Sequence, residues 1–105
     1  MFTINGERWL VKFEQPSAEI FITEDGFRTI GVCDDATKTI HLANSLRGKF
    51  LKKVLCHELT HAAMFSYNVE LSYEQEELLA DLLATYGEEI IDITDSLFDR
   101  LKERH

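Results

Sequence analysis

The stretch KTIHLANSLRGKFLKKVLCHELTHAAMF, residues 38–65, changes from the pattern of a strand to the pattern of a helix along its length. Its first part, KTIHLA, predicts a short strand. From Phe50 onward, apolar residues recur at the spacing of one helical face: Leu51, Leu55, Leu59 and Ala62. We therefore expect a strand followed closely by a helix that ends near Tyr67-Asn68.

The residues before this stretch indicate strands joined by turns. Asn5-Gly6 is a hairpin signal. The residues after it alternate with the period of a half-buried strand, Trp9, Val11 and Phe13 against Leu10, Lys12 and Glu14. EIFITEDGFRTIGVC, residues 19–33, predicts two strands around Asp25-Gly26, and DDAT, residues 34–37, predicts a further turn. Because these connections are short, we expect antiparallel pairing.

The residues after the first helix predict two more helical segments. Ser72 is a good N-cap, and Gln75 completes a capping box with it. Gly87 is the point at which this second helix weakens or ends, and residues 88–105 continue the helical pattern with or without a break near Thr94-Asp95. Strands followed by helices predict a single α+β domain over residues 1–105. We expect a small antiparallel sheet of three to four strands, then an active-site helix, a glutamate helix and a C-terminal helix.

The overall charge limits the possible partners. The 105 residues carry a formal net charge of -8, which argues against binding to nucleic acid or to an anionic membrane surface. No apolar run reaches the roughly 20 residues that cross a bilayer, and the N-terminus lacks the pattern of a signal peptide. We therefore expect a cytoplasmic protein in which Cys33 and Cys56 are reduced.

HELTH, residues 57–61, carries two histidines four positions apart, with a glutamate after the first. Such positions lie roughly 40° apart on a helix, so His57 and His61 can both direct an imidazole nitrogen at one ion. Glu58 lies about 100° round from His57, where it can touch a water bound to that ion without ligating the ion itself. The pattern favours a metal site over two hydrogen-bonded helix histidines beside a solvated glutamate.

A tetrahedral catalytic site needs one more protein ligand, and the next predicted helix contains EQEELLAD, residues 74–81. Glu77 is the candidate ligand, and Asp81, on the same face, is a candidate acceptor for the free N–H of a ligating histidine. We expect Glu74 and Glu76 to be the solvated acidic first turn that a helix dipole favours. Small residues that let the two helices approach closely occur on both: Ala62, Ala63, Ala80 and Ala84.

HELTH followed by E-x-x-x-D resembles the gluzincin metallopeptidases. The shorter pattern is similar to the ImmA/IrrE-like metallopeptidase domain and to the small single-domain minigluzincins. In that family a few strands precede an HExxH helix, and the glutamate helix carries an E-x-x-A-D pattern, which here reads ELLAD, residues 77–81. The resemblance covers roughly residues 27 to 86. Members often have glycine in the fourth place of HExxH, where this chain has Thr60.

The resemblance implies the composition of the site: Zn²⁺ bound by His57, His61 and Glu77, Glu58 as the general base, and Asp81 supporting a ligating histidine. We expect a zinc metallopeptidase, a hydrolase of bacterial, archaeal or phage origin that cleaves a peptide or protein substrate, with a regulatory protein as one candidate. One alternative is a catalytically silent or latent zinc-site protein that binds a protein partner. A purely structural zinc site is a weaker alternative, because such a site needs no adjacent base. The pattern defines no oligomeric state.

Several other residues have open roles at this stage. The strand Thr39–Ala43 either pairs with a substrate backbone as a sheet edge or lies inside the sheet. We assign no oxyanion donor among the candidates, which are Tyr67, Tyr73, Tyr86 and His41. Cys56 points away from the metal face and is expected to serve packing. For the terminal His105, a frayed end is the simplest expectation.

Overall fold

A computed structural model of the protein describes residues 1–102. Two strands, β1 (Phe2–Ile4) and β2 (Glu7–Glu14), form the predicted N-terminal hairpin, with antiparallel pairing of Phe2 to Trp9. Asn5 and Gly6 between them have φ values of 49° and 77°. Positive φ at both central positions is typical of the tight turn whose twist matches that of the flanking strands.

The sheet has four strands in the order β1-β2-β4-β3, where β3 is Gly31–Asp34 and β4 is Thr39–Ala43. β3 and β4 are antiparallel neighbours around the predicted turn, but β2 and β4 pair in parallel, from Leu10 opposite Thr39 to Glu14 opposite Ala43. The expectation of an entirely antiparallel sheet is therefore wrong at this one pair. β3 lies within the connection between β2 and β4 and occupies the outer edge of the sheet. The chain reverses direction before β3 and again after it, so β4 runs beside β2 in the same direction.

Residues 19–22 do not form the predicted strand. They form a 3-10 turn, Glu19–Phe21, followed by a single bridge between Ile22 and Arg28. Phe21 is fully buried, and its carbonyl accepts a hydrogen bond of 2.7 Å from the N–H of Thr29. Burying this one aromatic ring turns the chain inward, so an extended ladder cannot form there.

Three helices follow: α1 (Gly48–Ser66), α2 (Tyr73–Leu82) and α3 (Glu88–Leu101). The capping box predicted for α2 is present, since the Ser72 hydroxyl accepts from the Gln75 N–H and the Gln75 side chain accepts from the Ser72 N–H. A π-helical turn, Leu83–Gly87, joins α2 to α3, and α3 continues without a break through Thr94-Asp95. The fold class is α+β, as the sequence predicts.

The core lies between α1 and one face of the sheet. Its largest fully buried side chains are Trp9, Phe21, Ile40 and Leu42. The indole N–H of Trp9 donates a hydrogen bond of 2.8 Å to the Ser66 hydroxyl, which joins β2 to the last turn of α1. This contact and the apolar packing fix α1 across the sheet, and α1 is the helix that carries both histidines of HELTH.

α3 lies outside this core and has no buried residue. The molecule measures 55 × 30 × 28 Å, and its radius of gyration is 16.0 Å. A compact domain of about 100 residues has a radius of gyration of about 13 Å, so the excess agrees with a projecting helix. Within residues 1–102, no helix combines the length and the apolar character needed to cross a membrane.

Candidate metal centre

His57 and His61 lie one above the other on the side of α1 that faces α2, as their spacing predicts. Their Nε2 atoms are 3.2 Å apart, and their rings meet edge to face with centroids 5.0 Å apart. The side chains are only 21% and 14% exposed. Two nitrogen atoms therefore face one shared point at the bottom of a cleft.

Glu77 approaches this point from α2. Its Oε1 lies 2.7 Å from His61 Nε2, and its Oε2 lies 3.4 Å from His57 Nε2. One ligand atom from each of the three side chains falls within 4.8 Å of the others. Neighbouring ligands of a tetrahedral zinc ion are about 3.4 Å apart, given bonds of about 2.0–2.1 Å. The spacing of this His-His-Glu group therefore suits a small divalent cation.

The close approach of α2 to α1 depends on a small residue between the acidic side chains. Ala80 is fully buried, and it lies on the helix face that also carries Glu77 and Asp81. Side chains at these positions share one face because they are three or four residues apart. A methyl group at Ala80 allows the carboxylates on either side of it to reach the histidines.

The second nitrogen of each histidine also meets a carboxylate. Asp81 Oδ1 lies 3.0 Å from His57 Nδ1, the contact proposed for Asp81 from the sequence. Glu76 Oε1 lies 3.0 Å from His61 Nδ1, and the Glu76 side chain is 20% exposed. A carboxylate that accepts the Nδ1–H fixes the tautomer and directs the Nε2 lone pair towards the shared point. Glu76 is therefore not the solvated residue that the sequence indicates.

Glu58 is buried beside the pair of histidines, with 8% of its surface exposed. Burial raises the pKa of its carboxyl above the ordinary value, the charges of His57 and His61 act to lower that pKa, and Glu77 acts to raise it. A carboxylate in such surroundings is a stronger base than one in water. Glu58 is not one of the three grouped ligand side chains, and it lines the same part of the cleft as they do.

Gly31 makes room for Glu58, and sequence reasoning missed it. A Cβ atom at Gly31 would lie 2.9 Å from Val54 Cγ1 and 3.0 Å from Glu58 Oε2. Such contacts are too short to be tolerated without movement. The close approach of β3 to α1 is a tertiary contact, so no local signal in the sequence marks this glycine.

A cleft runs along β3 past the candidate centre. One part, of about 370 Å³, is lined by Gly31, Cys33, His61 and Glu77 among others. A neighbouring part, of about 220 Å³, is lined by His57, Glu58 and the apolar side chains of Ile30, Val54 and Phe50. The two parts share Gly31, His57 and Glu58, so a ligand lying along β3 would pass the candidate metal position.

Cys33 faces the cleft but is not one of the three side chains that group around the candidate metal position. Burial raises the pKa of its thiol to about 12, and the nearby charges of Glu58 and Asp35 act in the same direction. A thiol with such a pKa stays protonated at neutral pH in the metal-free protein. Cys56 lies on the other side of α1, in a groove with Leu83, as its predicted position on the helix requires.

β3, and not β4, is the open edge of the sheet on this side. β4 lies between β2 and β3, so of the two roles left open for Thr39–Ala43, the strand lies inside the sheet and is not an edge. The Ile30 carbonyl accepts from Ala43 N–H, and hydrogen-bonding direction alternates along an antiparallel strand. The backbone groups of Gly31 and Cys33 therefore point away from β4, towards the cleft side.

The four oxyanion candidates differ in position. Tyr73 lines the cleft beside Glu77 and is 77% exposed, whereas Tyr67 and Tyr86 do not line either part of the cleft. His41 pairs with Glu14 at 3.2 Å and alternates with buried residues of β4, so it faces away from α1. His105 lies outside the described residues.

No family model, no curated protein and no solved structure matches this chain. The resemblance to gluzincins therefore rests on the residues of HELTH and ELLAD and on the strand before them.

Proposed function

We propose that the protein is a zinc-dependent peptidase. The observation that carries this proposal is the convergence of His57 and His61 from α1 with Glu77 from α2, while the buried Glu58 lies beside them. Structural zinc sites have four protein ligands, whereas catalytic sites have three and keep one position open. Three grouped side chains with a neighbouring carboxylate are the composition expected of a catalytic site.

The donor set supports zinc as the metal. Two imidazole nitrogens and one carboxylate oxygen suit zinc, whereas magnesium and calcium prefer oxygen ligands throughout. The carboxylates at both Nδ1 atoms, from Asp81 and Glu76, add support because they hold the imidazoles in the orientation that a ligand needs. Zinc held by His57, His61 and Glu77 would supply a water of lowered pKa and would polarise the carbonyl group of a bound amide.

Glu58 carries out the proton transfers in this proposal. Its carboxylate accepts a proton from the attacking water and then donates that proton to the nitrogen of the leaving amine. Peptide hydrolysis consumes one water and leaves Glu58 in its starting state. The backbone of Gly31 leaves space for the Glu58 side chain and keeps it against the cleft.

The open edge of β3 is the proposed binding place for the substrate. An extended peptide can form backbone hydrogen bonds with Gly31 and Cys33 while its side chains enter the cleft on either side. This arrangement brings a peptide bond past His57 and Glu58, which both parts of the cleft share. A peptide or an unfolded segment of a protein fits this edge, whereas a folded protein surface does not offer a free strand.

The decisive experiment compares the protein with its Glu58→Gln variant on casein. We expect hydrolysis by the variant to fall by about 10²–10⁴-fold, because the amide cannot accept the proton of the water. Zinc content, measured by elemental analysis, should stay the same in both proteins.

Glu74→Gln, on the exposed first turn of α2, is the matched control and should keep full activity. Chelation should abolish activity and added zinc should restore it. Equal activity of the Glu58→Gln variant would remove Glu58 from the mechanism.

A second candidate is a zinc-site protein that binds a partner and is catalytically silent or latent. The size of the protein favours this possibility, because 105 residues leave little room for a walled substrate cleft. The same assays separate the two candidates. Stoichiometric zinc without turnover of casein in the wild-type protein favours the binding module, and zinc-dependent turnover favours the peptidase.

A further inference from the structure

α3 presents a wide apolar face that no part of the described chain covers. Six large apolar side chains of α3 are between 44% and 60% exposed: Ile90, Ile91, Ile93, Leu97, Phe98 and Leu101. At 100° per residue they fall within about 160° of the helix circumference, and the charged side chains occupy the remainder. We call these six residues the α3 stripe. Exposed apolar faces of this extent are typical of interaction sites.

α3 has little support from the rest of the fold. It follows the turn Leu83–Gly87, and among the described residues its one ion pair to another element joins Glu88 to Lys52, at 2.7 Å. Isolated helices of about 14 residues are marginal in water, because packing supplies most of the stability of such helices in proteins. A regular helix of 14 residues with an uncovered stripe is therefore better explained by a partner that covers it.

The charges of α3 are unevenly distributed, because its cations are confined to one end. The first eight residues contain four acids and no base: Glu88, Glu89, Asp92 and Asp95. The cations Arg100 and Lys102 come at the far end, where Lys102 pairs with Asp99 of the same helix at 3.1 Å. Glu89 and Arg100 lie within about 20° of each other on the same flank of the stripe, about 16 Å apart along the helix axis. They are too far apart to pair within one helix.

We propose that α3 pairs with α3 of a second copy of the chain, in antiparallel orientation. In an antiparallel pair the same flanks face each other, so Glu89 of each copy meets Arg100 of the other. This register also places Ile93 beside Leu97 of the second copy and Ile90 beside Leu101. A parallel pair would instead bring acid to acid at one end and base to base at the other.

The expected interface is small. Half-exposed side chains of this size offer on the order of 500 Å² of apolar surface per copy, or on the order of 1,000 Å² in a dimer. Specific interfaces of this size lie at the weak end of the range, so the dimer should be reversible with a Kd of about 1–100 µM. No α3 residue lines the cleft along β3, so dimerisation leaves that cleft open. The proposal is therefore independent of the proposed enzymatic function.

The first test is the concentration dependence of the molecular mass. Sedimentation equilibrium of the full chain from about 1 to about 300 µM spans the expected Kd. We expect a change from monomer to dimer, and Leu97→Glu should weaken association by at least about thirtyfold because it places a charge inside the stripe. Ser96→Glu adds the same charge to the same turn outside the stripe. Because it lies four residues before Arg100 and competes with Glu89 for that residue, it should weaken association by no more than the loss of the Glu89–Arg100 pair, about three- to tenfold.

Fluorescence of Trp9, which is buried in the core and is the one tryptophan of the chain, shows whether each variant remains folded. A wild-type protein that stays monomeric throughout this range overturns the proposal, and then another protein is the occupant of the stripe. Equal association of the Leu97→Glu and Ser96→Glu variants overturns it as well, because the interface would then lie elsewhere.

The second test is a charge exchange that reports the antiparallel orientation. Glu89→Lys and Arg100→Glu should each weaken the dimer about three- to tenfold, because each substitution creates two like-charged pairs across the interface. The double variant, Glu89→Lys with Arg100→Glu, should recover most of the wild-type affinity. Recovery cannot arise within one helix, because the two positions are about 16 Å apart. Additive losses in the double variant overturn the antiparallel register.

Discussion

α2 and α3 belong to one nearly continuous helical run and are both acidic, yet their surroundings are opposite. In α2 the carboxylates of Glu76, Glu77 and Asp81 lie 2.7–3.4 Å from imidazole nitrogens of α1. In α3 the ion pairs join Glu88 and Asp99 to lysines at exposed positions. The role of an acidic residue in these two helices therefore depends on the element that its helix faces, and not on the local composition.

The apolar side chains of the two helices show the same contrast. Ala80 is fully buried where α2 meets α1, while the larger Leu97 and Phe98 of α3 are about half exposed. The π-helical turn Leu83–Gly87 marks the change between the two situations. π-helical turns commonly occur where a helix has a functional or geometric constraint. Here the turn separates a helix that forms the candidate site from a helix that projects beyond the core.

The largest expected effect comes from removing a carboxylate charge at the candidate centre. Glu77→Gln should lower zinc affinity by more than about a hundredfold, because the loss of a direct ligand exceeds the 10- to 100-fold loss typical of supporting residues. The measurement is competition with a chromophoric chelator. Glu89→Gln makes the same chemical change in α3 and should leave zinc affinity unchanged. Similar zinc affinities for the Glu77→Gln and Glu89→Gln variants would mean that the carboxylate of Glu77 in α2 is not a zinc ligand.

An intermediate effect should follow from adding one methyl group in each region. Gly31→Ala should lower the free energy of unfolding by about 1–3 kcal/mol, because its Cβ meets Val54, a branched residue with little rotamer freedom in a helix. Gly87→Ala should raise that free energy by about 0.5–1 kcal/mol. Gly87 has helical φ and ψ of -59° and -44°, and its added Cβ would lie 3.4 Å from Leu83 Cδ2.

Denaturant unfolding followed by Trp9 fluorescence measures both glycine variants in the same protein background. The opposite signs of the two effects are the important outcome, since one glycine lies in a closely packed contact and the other at the start of a projecting helix. A loss of the same size in both variants would show that packing at the start of α3 is as tight as packing around Glu58.

The smallest expected effects on zinc affinity concern the two carboxylates that support the histidines. Glu76→Gln should weaken zinc binding by about tenfold, because the amide oxygen still accepts from Nδ1–H but carries no charge. Asp81→Asn should cost less, since the Asp81 side chain is 68% exposed and that of Glu76 is 20% exposed. Glu74→Gln, two residues before Glu76 and exposed, is the control. A larger loss of zinc affinity in Asp81→Asn than in Glu76→Gln would mean that the contact of Asp81 with His57 supports zinc binding more than the contact of Glu76 with His61.

The sequence predicts those features that depend on local periodicity. The placement of His57 and His61 on one face follows from helical geometry, and the capping box at Ser72 follows from short-range hydrogen bonding. The strand alternation around Trp9 likewise depends on neighbouring residues. Because these features depend on nearby residues, the sequence alone predicts the α+β class and the proximity of the two histidines.

The features that sequence reasoning missed depend on how the elements are arranged in space. The parallel pairing of β2 with β4 is set by the path of the connecting segment, and the role of Gly31 by the distance between β3 and α1. Glu76 differs from Glu74 because of the rotation of α2 relative to α1, and the helical period alone does not define that rotation. From the sequence alone, a glutamate in the first turn of a helix is interpreted as a residue that the helix dipole favours, because the facing helix is not known.

The position of β3 in the chain has a consequence for how this protein can vary. The strand that borders the cleft lies within the connection between β2 and β4, whereas the side chains that fill the interior belong to those two strands, to α1 and to Phe21 of the same connection. Exchanges in the exposed residues 22–28 therefore alter the surface beside the cleft and leave the buried side chains of Trp9, Phe21, Ile40 and Leu42 in place. Grafted versions of this segment offer a route to new ligand preferences on an unchanged scaffold.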